Sequence, residues 1–232
     1  MSDLDVGRIA DGFWWWSCAH PAWEEGDNWD RVVTSAYVEA PGATVVIDAQ
    51  VPAGDADRDR FLRALDRDVE RRGLPFAALV TCAWHSRSSA ELAERYDGIV
   101  WMPTADARGG PRPYELLSDG GEPVAGVVAR SLRAPVPEFA FAVPAHAAVV
   151  IGEIVVHEPG GPLLMAPAEW YDDTPALEAW YRDDAAARLD EIVTPDIRLV
   201  TCGHGGPAPL GPGAPAAPWR GAAGGAGPPG TP

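Results

Sequence analysis

The chain has 232 residues and a formal net charge of −16, because 34 acidic residues outnumber 18 basic ones, all of them arginine. So acidic a surface repels phosphate backbones and anionic lipids, which argues against nucleic-acid and membrane partners. The hydrophobic content of 47% and the ten tryptophans supply enough apolar surface for a folded core. Three cysteines are too few for a disulfide framework, and the first residues lack the pattern of a signal peptide, so we expect a cytoplasmic location.

The first half of the chain alternates between strand and helix patterns. Residues 7–16 form one predicted strand, and Pro41-Gly42 is a hairpin signal between predicted strands at 31–39 and 43–47. A helix is predicted over 55–72, with acids in its first turn, arginines in its last turn and Gly73 at its end. Three elements follow it: a strand at 76–81, a helix that begins with a capping-box pattern at 88–91, and a strand at 99–102.

The second half of the chain favours strands and one further helix. Residues 103–130 are predicted to be irregular, and residues 139–156 to be rich in strands. Thr174-Pro175 begins a third predicted helix that continues to Leu189, and a last strand is expected at 197–201. This order of elements indicates sheet layers with helices on their outer faces.

The C-terminal part of the chain has the composition of a disordered segment. Gly, Pro and Ala make up most of residues 205–232, and such a segment cannot bury enough apolar surface to offset its ordering entropy. We therefore predict a single domain over residues 1–210 and a disordered tail over residues 211–232.

A four-residue sequence, Leu-Val-Thr-Cys, occurs twice, at residues 79–82 and 199–202. Each copy ends a predicted strand, and His85 or His204 follows it closely. Because α/β sheets bind ligands beyond the carboxyl ends of their strands, both histidines are expected to face one site. The alternative is that this ordinary strand composition recurs by chance.

Over residues 6–210 the sequence resembles the metallo-β-lactamase fold superfamily. Four segments carry this resemblance in the family's order: residues 44–48, ending in Asp48; residues 76–81, before the family's metal motif; residues 147–153, ending in Gly152-Glu153; and residues 201–205, which contain His204. The resemblance implies an α/β fold in which two sheets and their outer helices form a four-layer αββα sandwich. It also implies a metal site at one edge of the sheets.

The chain departs from the family's ligand pattern. Where the family has Thr-His-x-His-x-Asp-His, this chain reads Thr-Cys-Ala-Trp-His-Ser-Arg-Ser from Thr81 onward. Residues 135–138 stand near the family's middle histidine and contain none, and Glu153 replaces an aspartate. A site for two metal ions needs about five or six ligands, so the usual binuclear site is excluded. The motif Trp-His-x-Arg-Ser is similar to that of a divergent branch of the superfamily.

The residues that remain match a site for one metal ion. The resemblance implies that His85, Glu153 and His204 hold one zinc or other divalent ion, with Cys82 and Asp48 as further candidates, or that no ion is bound. A Cys2His2 site built from the two repeats is a weaker alternative, because its spacing is not that of structural zinc sites.

Two further residues are predicted to contact a substrate. Arg87 could hold a substrate carboxylate, although its charge would disfavour a neighbouring metal ion. His20 could line the site as a general base or as a ligand. The nearby tryptophans, Trp14–Trp16 together with Trp23 and Trp29, are expected to form core and loop packing rather than an aromatic cage around a substrate.

Two functions remain open at this point. The first is a mononuclear metal-dependent hydrolase that acts on a small ester, amide or thioester. The second is a non-catalytic relative that keeps the fold and binds a small molecule or a protein partner. Although most of the family's ligands are absent, His204 and the acid after Gly152 remain, and they favour the hydrolase.

Overall fold

Two β-sheets lie face to face in the centre of the molecule, and helices cover the outer face of each sheet. The computed structural model describes residues 3–104, 114–158, 161–210 and Trp219. The predicted α/β fold with four αββα layers is confirmed.

The first sheet and its helices come from the first half of the chain. They are β1 (Asp5–Ala10), β2 (Phe13–Ala19), β3 (Val32–Glu39), β4 (Thr44–Ile47), α1 (Asp55–Arg72), β5 (Phe76–Leu79), α2 (Ser89–Arg95), β6 (Ile99–Met102) and β7 (Tyr114–Leu116). The strands follow one another across the sheet in chain order. Strands β1 to β4 are antiparallel, whereas β4 to β7 are parallel.

The second half of the chain forms the other two layers. Its elements are β8 (Val128–Ser131), β9 (Phe139–Val143), β10 (Ala148–Ile151), β11 (Val155–His157), β12 (Leu163–Met165), α3 (Thr174–Asp183), α4 (Ala185–Ile192), β13 (Leu199–Cys202) and β14 (Gly206–Pro209). The second sheet has the order β14-β13-β10-β9-β8, and its neighbours β10 and β13 are parallel. Strands β11 and β12 form a separate hairpin.

Three clusters of buried apolar side chains hold the layers together. The cluster between the sheets includes Phe13, Ile47 and Phe141. A second cluster joins α1 and α2 to the first sheet, and a third joins α3 and α4 to the second sheet. Burial of apolar surface on both faces of each sheet is the main stabilising contribution to such a fold.

Helix α1 has the predicted bounds, and its ends show why. Acidic side chains occupy its first turn and Arg71 and Arg72 its last, which complements the helix dipole. Gly73 ends the helix in the left-handed conformation, with φ of 57°, and its N–H donates to the carbonyl of Val69.

Three local predictions are wrong. Residues 7–16 are not one strand, because a turn at Gly12, with φ of 73°, separates β1 from β2. The third helix is interrupted at Asp184, which separates α3 from α4. The capping box before α2 does not form, since the Ser88 hydroxyl accepts a hydrogen bond from the N–H of Val51 instead.

Two predictions concern regions that the structure describes in part. The stretch 103–130 was expected to be irregular, but it contains β7 and the start of β8, while residues 105–113 lie outside the described residues. The predicted disordered tail, residues 211–232, also lies outside them, except for Trp219. The Trp219 indole is buried beside α3 and α4 and donates to Asp190 Oδ1 at 3.1 Å.

Membrane insertion finds no support among the helices. In the described ranges, no helix is both long and apolar enough to cross a bilayer.

Arg188 on α4 is a buried charge that joins the helix to the second sheet. Its side chain is 5% exposed, and Nε donates to the carbonyl of Ser131 at 2.7 Å. Its other nitrogens donate to Asp119 Oδ1 at 2.9 Å and to Glu191 Oε2 at 2.5 Å. This one guanidinium therefore satisfies polar groups on the helix, on the strand and on the loop before the strand.

We expect Arg188→Leu to lower the free energy of unfolding by about 2–3 kcal/mol, because it leaves the Ser131 carbonyl without its side-chain donor and removes one of the two arginines that donate to Asp119. Arg182, which is 68% exposed and pairs with Asp183, is the matched control. Arg182→Leu is expected to change the free energy by no more than about 0.5 kcal/mol. Urea unfolding of both variants measures the difference, and equal losses would contradict the role given to Arg188.

Candidate functional site

Four polar residues follow the carboxyl ends of parallel strands in the two sheets. Asp48 and His85 follow β4 and β5 of the first sheet, and Glu153 and His204 follow β10 and β13 of the second. Because these strand ends lie at the same edge of the sandwich, the structure brings the histidines of the two Leu-Val-Thr-Cys repeats together. The centroids of their rings are 6.1 Å apart.

Backbone hydrogen bonds join the two sheets at this edge. The N–H of Thr34 donates to the carbonyl of Gly203 at 2.7 Å, and the N–H of Phe139 donates to the carbonyl of Thr81 at 2.8 Å. Gly203 itself donates to Gly152 at 2.9 Å. These bonds hold the segments that carry the candidate residues in fixed positions.

Asp48 orients the His85 ring. The carboxylate is buried, and Oδ1 accepts a hydrogen bond from the N–H of Thr81 at 2.8 Å. Oδ2 accepts from the Thr81 hydroxyl at 2.6 Å and lies 2.9 Å from His85 Nδ1. Both oxygens of Asp48 are therefore engaged, and the second ring nitrogen of His85, Nε2, points towards the other sheet.

Glu153 links the two histidines. Its Oε2 atom lies 2.6 Å from His85 Nε2 and 3.4 Å from His204 Nε2, and all three side chains are buried. The ligand atoms of Cys82, His85 and Glu153 all lie within 4.8 Å of one another, so these residues form a group that could hold a metal ion. The structure thus places the three predicted ligands together and sets the Cys82 thiol beside them.

In this group the carboxylates favour the charged form of His85, and the histidines favour the charged form of Glu153. Burial and the Arg87 charge lower the pKa of His85, but the Asp48 carboxylate and its hydrogen bond are among the groups that raise it, and the net pKa lies well above the usual value. For Glu153, burial raises the pKa and the hydrogen bonds to His204 and His85 lower it by more, so the pKa lies below its usual range. Without a metal ion, an imidazolium therefore lies between two carboxylates.

Glu138 supports this group, and sequence reasoning did not find it. Its Oε1 accepts hydrogen bonds from the N–H of Glu153 at 2.8 Å and of Ile154 at 3.1 Å. Burial raises the pKa of Glu138 to about 8 and that of Cys82 to about 12, so both are largely uncharged at neutral pH. The sequence signal that could have identified Glu138 was the position of this acid immediately before the apolar strand β9.

Arg87 stands where the family's motif would place metal ligands. Nη1 donates to the carbonyl of Thr34 at 2.9 Å and to that of Asp48 at 3.0 Å, and burial lowers the pKa of this arginine. Within the described residues, the hydrogen bonds of Arg87 all come from Nη1, which leaves Nε and Nη2 for other partners.

A cleft with a volume of about 300 Å³ opens above these residues. Besides Arg87, His85, Glu153 and His204, its walls include His20, Trp29, Trp84, Trp170 and Asp172. The predicted substrate residues Arg87 and His20 both line it. Trp29 packs in its loop, as predicted, and also lines this cleft, whereas Trp14, Trp15 and Trp16 line a separate groove beside α1.

His20 is uncharged at neutral pH. Burial and neighbouring positive charges lower its pKa to about 4. The N–H of Ala22 lies 3.2 Å from His20 Nδ1, which makes Nδ1 the acceptor and leaves the ring proton on Nε2. His20 therefore presents an N–H donor to the cleft.

Solved structures that resemble the chain are metallo-β-lactamases. DIM-1 metallo-β-lactamase has a TM-score of 0.64 at 11% identity, with 90% of this chain and 92% of that chain covered. FIM-1 from Pseudomonas aeruginosa, in its mono-zinc form, has a TM-score of 0.63 at 14% identity, with 90% of each chain covered. A metallo-β-lactamase from Erythrobacter litoralis has a TM-score of 0.58 at 13% identity, covering 89% of this chain and 87% of that one.

The chain has the metallo-β-lactamase fold. No protein-family profile and no curated protein sequence matches it. At these identities the likeness extends to the fold, and the chemistry must be argued from the residues themselves.

The residues at the site include ligand types that could hold one metal ion. The donor set contains two imidazoles, one carboxylate and one thiol, which are zinc ligand types. Asp48 binds the far nitrogen of His85, as carboxylates commonly do behind a metal-binding histidine. A second ion does not fit, because the described residues form no second ligand group and Arg87 carries a positive charge.

The hydrogen bond that His85 Nδ1 donates to Asp48 predicts a specific pH dependence for the metal-free protein. A raised pKa of His85 contributes stability that is complete below about pH 6.5 and is lost as the pH rises through the folded-state value. We expect Asp48→Asn to lower the pKa of His85 and to move this loss to lower pH. NMR titration of the ring nitrogens and urea unfolding across pH measure both effects.

His146 is the control in the same spectra, because burial lowers its pKa and it lies outside the site. Its titration is expected to be the same in both proteins. A wild-type His85 that titrates near pH 6.5, or that titrates identically in the variant, would contradict the proposed pairing with Asp48.

Proposed function

We propose that the protein is a mononuclear metal-dependent hydrolase that acts on a small ester, amide or thioester. The observation that carries this proposal is the Glu153 carboxylate oxygen, which lies between the Nε2 atoms of His85 and His204 at the floor of a cleft. A small molecule is the expected partner, since a cleft of about 300 Å³ is at the lower end of the range for small-molecule sites.

His85, Glu153 and His204 would hold the ion, with Cys82 adjacent. Zinc bound there supplies a Lewis acid that polarises a carbonyl group and lowers the pKa of a water molecule. Asp48 keeps the proton of His85 on Nδ1, so that Nε2 is available. To hold an ion, His85 would have to lose the Nε2 proton that it shares with Glu153 across 2.6 Å, so the affinity would rise with pH.

The remaining polar groups of the cleft would act on the substrate. His20 donates a hydrogen bond from Nε2 to a substrate oxygen. Arg87 provides a fixed positive charge beside the floor, which favours a substrate carboxylate or the negative charge that develops on a carbonyl oxygen. Trp170 packs against the His204 ring, with centroids 5.3 Å apart, and limits access of water from that side.

A second candidate function is a non-catalytic protein that binds a small molecule in the same cleft. One observation favours it: His85 is hydrogen-bonded through both nitrogens, to Asp48 and to Glu153, so a proton balances the charges without a metal ion. In this alternative, the cleft binds a small molecule and the protein catalyses no hydrolysis.

We expect the wild-type protein to bind about one zinc or manganese ion per chain after supplementation, and His85→Ala and His204→Ala to lose it. Asp48→Asn is expected to weaken binding about 10- to 100-fold, because it removes only the residue behind the ligand. Elemental analysis and equilibrium dialysis measure binding, and a panel of small esters, amides and thioesters measures hydrolysis. Activity should follow metal content.

His146→Ala is the matched control, because this histidine packs against Phe13 outside the cleft. It should retain the metal and the activity of the wild type. A folded wild-type protein that takes up no ion and hydrolyses none of the panel would overturn the hydrolase proposal and leave the ligand-binding alternative.

A further inference from the structure

Three tryptophans from separate segments of the chain line the cleft. Trp29 lies in the loop between β2 and β3, Trp84 in a 3-10 turn after β5, and Trp170 in a 3-10 turn before α3. Trp84 is 36% exposed, which is unusual for so large an apolar side chain. An indole that remains exposed in the wall of a cleft indicates a binding surface rather than core packing.

These aromatic walls are held in place by specific contacts. The Trp23 indole donates to the carbonyl of Trp29 at 2.9 Å, and the Asn28 side chain donates to the carbonyl of Glu169 at 3.0 Å. The second bond joins the loop that carries Trp29 to the turn that carries Trp170. Trp84 packs edge-on against Tyr171, with ring centroids 6.0 Å apart. The mouth is therefore formed before a ligand arrives.

The chain segments that carry Trp29 and Trp170 are rich in acidic residues. Residues 21–30, around Trp29, contain Glu24, Glu25, Asp27 and Asp30 and no arginine. Residues 168–178, around Trp170, contain acids that include the cleft residue Asp172, and again no arginine. The net charge of −16 on the whole chain attracts positively charged ligands to the protein, and Asp172 provides a carboxylate in the cleft lining itself.

Indole faces and carboxylates together select a particular chemical group. The face of an indole attracts a cation through its quadrupole and also contacts alkyl groups, so it prefers alkylated ammonium groups to hydrated metal ions. Among the described residues, the floor of the cleft carries two positive charges, the His85 imidazolium and the Arg87 guanidinium. Nη1 of Arg87 is bound to backbone carbonyls. A positive group would therefore be accepted at the mouth rather than at the floor.

We propose that the mouth of the cleft, formed by Trp29, Trp84, Trp170 and Asp172, binds a small alkylated ammonium group. This inference rests on the proposed function in one respect: it assigns the ammonium group to the molecule whose ester, amide or thioester bond reaches the floor. Binding of the ammonium group itself requires neither metal nor hydrolysis.

Titration with tetramethylammonium chloride, followed by indole NMR signals at constant ionic strength with sodium chloride, tests the subsite directly. We expect Trp84→Leu to weaken binding about fivefold or more, because it removes one indole face. Asp172→Asn should weaken it as well, and Trp84→Phe should retain most of it. Trp14→Leu is the matched control, since Trp14 is 37% exposed but lies in the groove beside α1.

Hydrolysis of a matched pair of esters separates this inference from the proposed function. One ester carries a trimethylammonium group and the other carries a tert-butyl group of the same shape without charge. A preference for the charged ester that Trp84→Leu abolishes supports the subsite. Equal hydrolysis of both esters, or tetramethylammonium binding that is unchanged in Trp84→Leu, overturns it. Tetramethylammonium binding without hydrolysis of either ester supports the subsite and counts against the hydrolase.

Discussion

A buried carboxylate must be compensated by hydrogen bonds and positive charge, and Asp48 imposes this requirement on the site. Its side chain holds the Thr81 backbone and hydroxyl and the His85 ring, while its carbonyl accepts from the Ser35 hydroxyl and from Arg87. The residue has a positive φ of 50°, a conformation that aspartate tolerates better than most residues. Several contacts hold the turn after β4 at once, so the strained backbone conformation of Asp48 is retained. The same contacts fix the end of β5 relative to the end of β4.

The site lies at the edge of the sandwich where parallel strands of both sheets end. His85 and Glu153 come from different sheets, yet their side chains form a 2.6 Å hydrogen bond. Space for this contact depends on glycine: a Cβ atom on Gly203 would lie 2.7 Å from the His85 ring, and one on Gly152 would overlap the Thr81 hydroxyl. The site is therefore a property of how the sandwich is assembled, and a side chain at either glycine would push the halves of the site apart.

Much of this arrangement was predictable from the sequence. The layered fold, helix α1 and the meeting of His85 with His204 follow from periodicity, caps and the repeated strand ends. The contact of Glu138 with the Glu153 backbone and the place of Trp29 in the cleft wall were not predictable, because a side chain's direction depends on tertiary contacts that a loop sequence does not encode. The break at Asp184 was missed for a similar reason, since the apolar spacing is compatible with one continuous helix.

The central claim is that His85, Glu153 and His204 share one metal ion while Asp48 orients the first of them. The most direct test is the anomalous scattering of crystals grown with zinc, measured on both sides of the zinc absorption edge. The claim predicts one strong peak per chain, within about 2.0–2.3 Å of His85 Nε2, a Glu153 oxygen and His204 Nε2. A peak elsewhere, or an intact hydrogen bond between His85 and Glu153 in crystals saturated with zinc, would contradict it.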